Sequence, residues 1–173
     1  MTTTLMAPST PSPARSGVRA DRRRLVLVDL ENVVRGGVST PQLARTGRAI
    51  IESQVGVGEH EQVVVATDVT GVFNARTAWS GARLRIGTGP DGADRALLEV
   101  LDEGLPERFD ELVLVSGDGI FADPVGRLVR RGLPVRVAAW SWSLSRRLRR
   151  AASETILLDP WFVTDAPGVP TLA

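Results

Sequence analysis

Short runs of apolar, largely β-branched residues recur along this chain, each followed by a helix-forming stretch. That alternation constrains the fold more than any other feature. Residues 25–29 (Leu-Val-Leu-Val-Asp), 63–68, 112–115 and 135–139 are apolar at nearly every position. A strand apolar on both faces must be covered on both faces, the environment of a parallel sheet. Residues 83–86 (Arg-Leu-Arg-Ile) alternate instead and read as a strand near an edge, and 156–158 as a short sixth strand. Between them, Thr40 and Pro41 match an N-cap and first helical residue for a helix to about Ser53. Further helices are expected at 73–79, 91–103, 123–131 (ending at Gly132) and 144–152. The segment between Asp29 and Thr40, with Gly36 and Gly37, reads as a loop. The pattern predicts an α/β fold: a three-layer α/β/α sandwich with a mainly parallel central sheet.

At 173 residues, the length fits one domain with a real core. The N-terminal stretch 1–23 is rich in Thr, Pro, Ser and Arg and is expected to be a disordered tail. The folded domain is expected over 24–165, with 166–173 loose. Cysteine is absent, which excludes disulfides and Cys-ligated zinc. All 21 basic residues are arginine, so no Walker lysine, Schiff base or lysine-assisted phosphotransfer is available. No run is long and apolar enough to span a bilayer, and no signal-peptide core is visible, so a cytoplasmic setting is expected. The net charge of +1 hides an asymmetry. Arg15, Arg19, Arg22 and Arg23 crowd the tail against Asp21, which leaves 17 arginines and 19 acids from Arg24 onward. Any contact with nucleic acid must come from local patches.

Function is carried by three acidic motifs: Asp29-Leu30-Glu31-Asn32, Asp91-Gly92-Ala93-Asp94 and Ser116-Gly117-Asp118-Gly119. In a parallel sheet, ligands bind beyond the carboxyl ends of the strands. Asp29, Asp68 and Asp118 lie at or just past such ends. Neighbouring strands are only about 4.8 Å apart, so Asp29 and Asp118 can share one cation if their strands are adjacent. Asp94 precedes Leu97, Leu98 and Leu101 by three, four and seven residues, which puts it on the sheet-facing side of its helix. Taken singly, each acid is a common turn former or helix cap. Together they make a self-repelling cluster that calls for a positive occupant. Carboxylate oxygens suit Mg²⁺ or Mn²⁺. His60, between Glu59 and Glu61, reads as a solvated loop residue, which leaves zinc without a ligand set. A carboxylate-held divalent ion is matched to phosphodiester hydrolysis. Asn32 is expected either to orient a phosphate or water there, or to make a loop hydrogen bond.

These motifs resemble those of the NYN domain family, within the wider PIN-like nuclease group. The resemblance rests on the strand ending Asp29-x-x-Asn32, on Asp94 before Leu97 and Leu98, and on Ser116-Gly117-Asp118 after a strand; it spans roughly 24–162. The 144–152 segment is similar to the closing helix of these domains. The family implies a PIN-like sandwich and metal-dependent cleavage of RNA. It maps Asp29, Asp94 and Asp118 to metal-binding carboxylates and Asn32 to the asparagine of the first motif. Two departures stand out. The third motif commonly carries a second aspartate where this chain has Ile120, with Asp123 three residues later as a substitute ligand. The lysine often found in the second motif is absent. An RNA-binding or protein-interaction module that no longer cuts is therefore the alternative.

Arg146, Arg147, Arg149 and Arg150 form one basic cluster, and Arg127, Arg130 and Arg131 another, with Trp79, Trp140 and Trp142 nearby in the pattern. Such residues either grip RNA or serve as solvated faces and core. A homo-oligomer or protein partner stays open. Gly87-Thr88-Gly89-Pro90-Asp91-Gly92 matches a dinucleotide fingerprint, but it follows the third strand and carries acid where a pyrophosphate would sit. A haloacid-dehalogenase reading fails on Glu31, where a second aspartate is needed, and on the missing lysine.

Overall fold

A computed structural model of the chain describes residues 22–58 and 61–159. The tails expected at 1–23 and 166–173 lie outside the described residues except for Arg22 and Arg23, and His60 lies outside them too. Six parallel strands, β1 (Arg24–Asp29), β2 (Gln62–Asp68), β3 (Arg83–Gly87), β4 (Glu111–Val115), β5 (Val135–Ala139) and β6 (Glu154–Leu157), form one sheet in the order β3-β2-β1-β4-β5-β6. β3 lies at an edge, as its alternating pattern predicts.

The apolar strands divide their side chains between two layers, as a period of two requires. Leu25, Leu27, Leu112, Leu114, Val135 and Val137 face α4 (Gly92–Leu101), α5 (Ala122–Arg130) and α6 (Arg146–Ala151). Val26, Val28, Val65, Val113 and Val115 face α1 (Leu30–Val34), α2 (Pro41–Val55) and α3 (Val72–Ala78). Each such side chain, fully buried, contributes about 1.5–3 kcal/mol. The result is the three-layer sandwich expected. α2 begins as read, with Thr40 Oγ1 accepting from the Leu43 amide and Pro41 following.

Two details position the functional edge. First, the chain runs outward from β1 through β2 to β3 and then returns to place β4 on the other side of β1. The carboxyl ends of β1 and β4 therefore flank the topological switch point, where open α/β sheets bind ligands. Second, α4 starts flush against the end of β3. A Cβ on Gly87 would lie 1.9 Å from the Gly92 carbonyl carbon. Only a glycine permits that approach, and Asp91 enters the helix in the left-handed region, at φ 55°. Gly87 and Gly92 of the fingerprint-like stretch thus serve strand–helix contact, and they carry the first turn of α4 to the sheet edge.

A candidate metal centre at the switch point

Val28 pairs with Val115 across the sheet, so Asp29 and Ser116 emerge side by side. Asp29 is only 4% exposed and acts as the N-cap of α1. Its Oδ1 accepts the Asn32 amide at 3.1 Å, and its Oδ2 accepts the Ser116 hydroxyl at 3.0 Å. Burial is the main cause that pushes its pKa up to about 6; the two hydrogen bonds pull it down, and the charges of Glu31 and Asp118 push it up again.

Asp94 sits in the first turn of α4, half-buried beside Gly92, Ala93, Ala96 and Leu97. Its pKa is pushed up to about 7, first by burial and then by the charges of Asp29, Asp118, Asp91 and Glu31. Asp118 is exposed, and its Oδ1 caps the short 3-10 turn Gly119–Phe121 through the Ile120 amide at 2.9 Å. Asp29, Asp94 and Asp118, far apart in sequence, therefore share one electrostatic field. Among the described residues no three acidic side chains close into a ready cage for a metal. The two findings agree: charge repulsion acts over longer distances than shared ligation, and Asp29 is occupied by Ser116 and Asn32. In donor chemistry these groups suit a hard divalent cation, since each offers carboxylate oxygens, and among the described residues neither Asp29 nor Asp94 is in an ion pair.

Asn32 makes the loop hydrogen bond: its Oδ1 accepts the Gly117 amide at 3.2 Å and ties α1 to the β4 loop. Asp123 is not brought into the cluster. It is exposed at the start of α5 and pairs with Arg147 at 3.2 Å. Asp68 is also spent locally, on the Thr70 hydroxyl and the Gly71 amide. Glu31 is the residue to which sequence reasoning gave no role here. Its Oε1 accepts the Asp68 amide at 2.6 Å, which fixes a further charge beside Asp29 and Asp94. The signal was hidden because α1, five residues long, reads as loop.

The aromatic and basic residues separate. Trp79 is core, and Trp140 is half-buried with its indole N–H on the Val33 carbonyl at 3.1 Å. Arg127 and Arg131 reach back to Asp102 and Glu107. Trp142 remains exposed.

Comparison with known proteins gives a family and a fold. The family model of the NYN domain matches residues 25–159. No curated protein matches the chain. Among solved structures it is similar to the crystal structure of a protein of unknown function from Vibrio parahaemolyticus, at 17% identity, with 80% of this chain and 94% of that chain covered and a TM-score of 0.56. At that identity the likeness speaks for the fold alone.

Proposed function

This chain belongs to the NYN domain family, and from that premise we propose that it is a metal-dependent ribonuclease acting at the switch-point acids. The family gives the chain a PIN-like, nuclease-type fold. One observation supports the finer reading: Asp94 is raised to about 7 partly by the charges of Asp29 and Asp118, across three separate elements. Such clusters destabilise the fold and are commonest where chemistry needs them.

In this reading Asp29, Asp94 and Asp118 hold Mg²⁺ or Mn²⁺. When bound, the ion lowers the pKa of a coordinated water and neutralises charge on the phosphoryl group. The chain's own residues do the rest. Ser116 and the Asn32 amide hold the Asp29 carboxylate in one orientation. Asn32 keeps the β4 loop, and hence Asp118, in register with α1. With its pKa pushed up to about 7, Asp94 holds a proton through much of the range below pH 7, and it would have to release that proton to solvent to hold a cation. RNA is the partner and the cytoplasm the setting. No helix among the described residues is long and apolar enough to cross a membrane. The working domain spans 24–165.

The test is cleavage of single-stranded RNA with Mg²⁺ or Mn²⁺ by wild type and Asp118→Asn. Loss of a partner one shell outside a metal costs about 10–100-fold, so loss of a ligand should cost about 100-fold or more. Cleavage that survives both EDTA and Asp118→Asn defeats the reading. One observation favours a non-cleaving RNA-binding module instead: Ile120, at the position of the common second aspartate, is 43% exposed and offers no ligand. Metal-independent binding without cleavage by wild type decides for that alternative.

A further inference from the structure

The large hydrophobic side chains left exposed among the described residues are Val69, Phe73, Ile86, Ile120 and Trp142. They are not scattered. Val69 and Phe73 follow β2, Ile86 ends β3, Ile120 follows β4 and Trp142 follows β5. All five therefore lie at the carboxyl edge of the sheet, the edge that carries the acids. Water-exposed apolar surface gathered on one rim marks a contact site.

Trp142 is the most developed part of this rim. It is 60% exposed, and the Arg35 guanidinium lies 4.8 Å from its ring centroid. Both partners are anchored to the acidic site. Arg35 closes α1, three residues after Asn32, with φ 65°. The next residue after Trp142 is Ser143, whose carbonyl oxygen would lie 2.6 Å from a Cβ on Gly117. The Ser145 amide donates to the Gly117 carbonyl at 2.9 Å. Trp140 binds the Val33 carbonyl, which ties the Trp142 loop to the end of α1. The loop that carries this exposed indole is thus held at three points, and the Arg35 guanidinium lies over the ring. Four residues after Trp142, α6 begins at this edge with Arg146 and carries Arg149 and Arg150 in its last turn; all three are exposed and have no carboxylate within ion-pair distance among the described residues, whereas Arg147 is paired with Asp123. An open aromatic ring followed along the chain by a row of exposed arginines complements a polyanion that carries flat bases.

We propose that Trp142 and Arg35 form a nucleobase-stacking subsite, and that the arginines of α6 carry the adjoining phosphates, so that the acidic site receives an unpaired strand. A base on the open face of the Trp142 ring would complete a stack backed by Arg35, and a base inside a duplex has both faces covered by its neighbours and must leave the stack to reach the ring. The proposal deepens the ribonuclease reading and rests on its RNA-binding part.

The test is binding in EDTA, read by fluorescence anisotropy with a short labelled single-stranded RNA, the same RNA as a duplex, and an abasic strand of equal length. Stacking on one aromatic predicts that Trp142→Ala weakens the single strand by about fivefold or more, that Trp142→Phe restores part of it, and that duplex and abasic strand are indifferent to either change. Replacing Arg149 and Arg150 with alanine should weaken all three probes and flatten the salt dependence. Equal affinity of wild type and Trp142→Ala for the single strand, an equal loss on the abasic strand, or no RNA binding by wild type overturns the subsite and leaves the rim to a protein partner. Thermal unfolding of each variant confirms that it folds. Since no cleavage is needed, a protein that binds in this way but never cuts keeps the subsite and defeats the nuclease reading. A protein that cuts while indifferent to Trp142 does the reverse.

Discussion

Replacing Asp29 by asparagine should make this protein more stable at pH 8 and less stable at pH 4. Asp29 is 4% exposed and its pKa rises from 3.8 to about 6 on folding, with burial the largest cause. A raised carboxyl pKa means that the native state holds its proton more tightly than the unfolded chain does. The stability this group contributes is fully present below pH 3.8 and is lost as pH rises through about 6. At about 1.4 kcal/mol per unit, the loss is about 3 kcal/mol. Asparagine carries no charge and avoids it. Its Oδ1 can keep the Asn32 amide and its Nδ2 can donate to the Ser116 oxygen, but the buried Ser116 hydroxyl proton then loses its acceptor. That costs about 1 kcal/mol. The variant should therefore gain about 2 kcal/mol at pH 8 and lose about 0.5 kcal/mol at pH 4, with the crossover between pH 4 and 6. Removing the Asp29 charge also relieves Asp94, which acts in the same direction. Urea unfolding of both proteins in EDTA across that range measures the difference. A variant less stable at pH 8, or a difference that does not change with pH, refutes the claim that Asp29 is ionised against a burial penalty. A residue that weakens the fold where it stands is the trade expected of a functional site.

Two further outcomes follow from the same structure. Apparent affinity for Mn²⁺ should fall as pH drops through about 7 and then about 6, because protons on Asp94 and Asp29 compete with the cation; calorimetry at several pH values checks it, and a flat profile contradicts it. Gly87→Ala should destabilise the fold and separate Asp94 from Asp29, because the new Cβ would fall 1.9 Å from the Gly92 carbonyl carbon; unfolding and Mn²⁺ titration read the two effects, and a variant as stable and as tight as wild type contradicts the contact.

Much of this architecture was legible in the residues because the sheet is buried on both faces. Strands such as Leu112–Val115 have no polar face to confuse the pattern, and the Asp29 and Asp118 positions follow from where those runs stop. Asp94 was legible for a related reason, since its leucine neighbours fix which side of α4 faces the sheet. Short-range detail was not legible. α1 completes barely more than one turn before Gly36 and Gly37, too little for a period to register, so Glu31 stayed without a role. Asp123 lies near Asp118 in sequence, but the 3-10 turn between them redirects the chain and gives Asp123 to Arg147. The arginine clusters looked uniform as letters. Ion pairs to Asp102, Glu107 and Asp123 single out Arg127, Arg131 and Arg147 from the members that have no such pair among the described residues, and these pairings depend on tertiary neighbours.

If Asp29, Asp94 and Asp118 act together on one cation, each should matter to its binding. Saturable Mn²⁺ binding, followed by electron paramagnetic resonance for wild type, Asp29→Asn, Asp94→Asn and Asp118→Asn, tests it most directly. Wild type should bind clearly, and all three variants should bind more weakly. Binding that any of the three variants retains in full would contradict it.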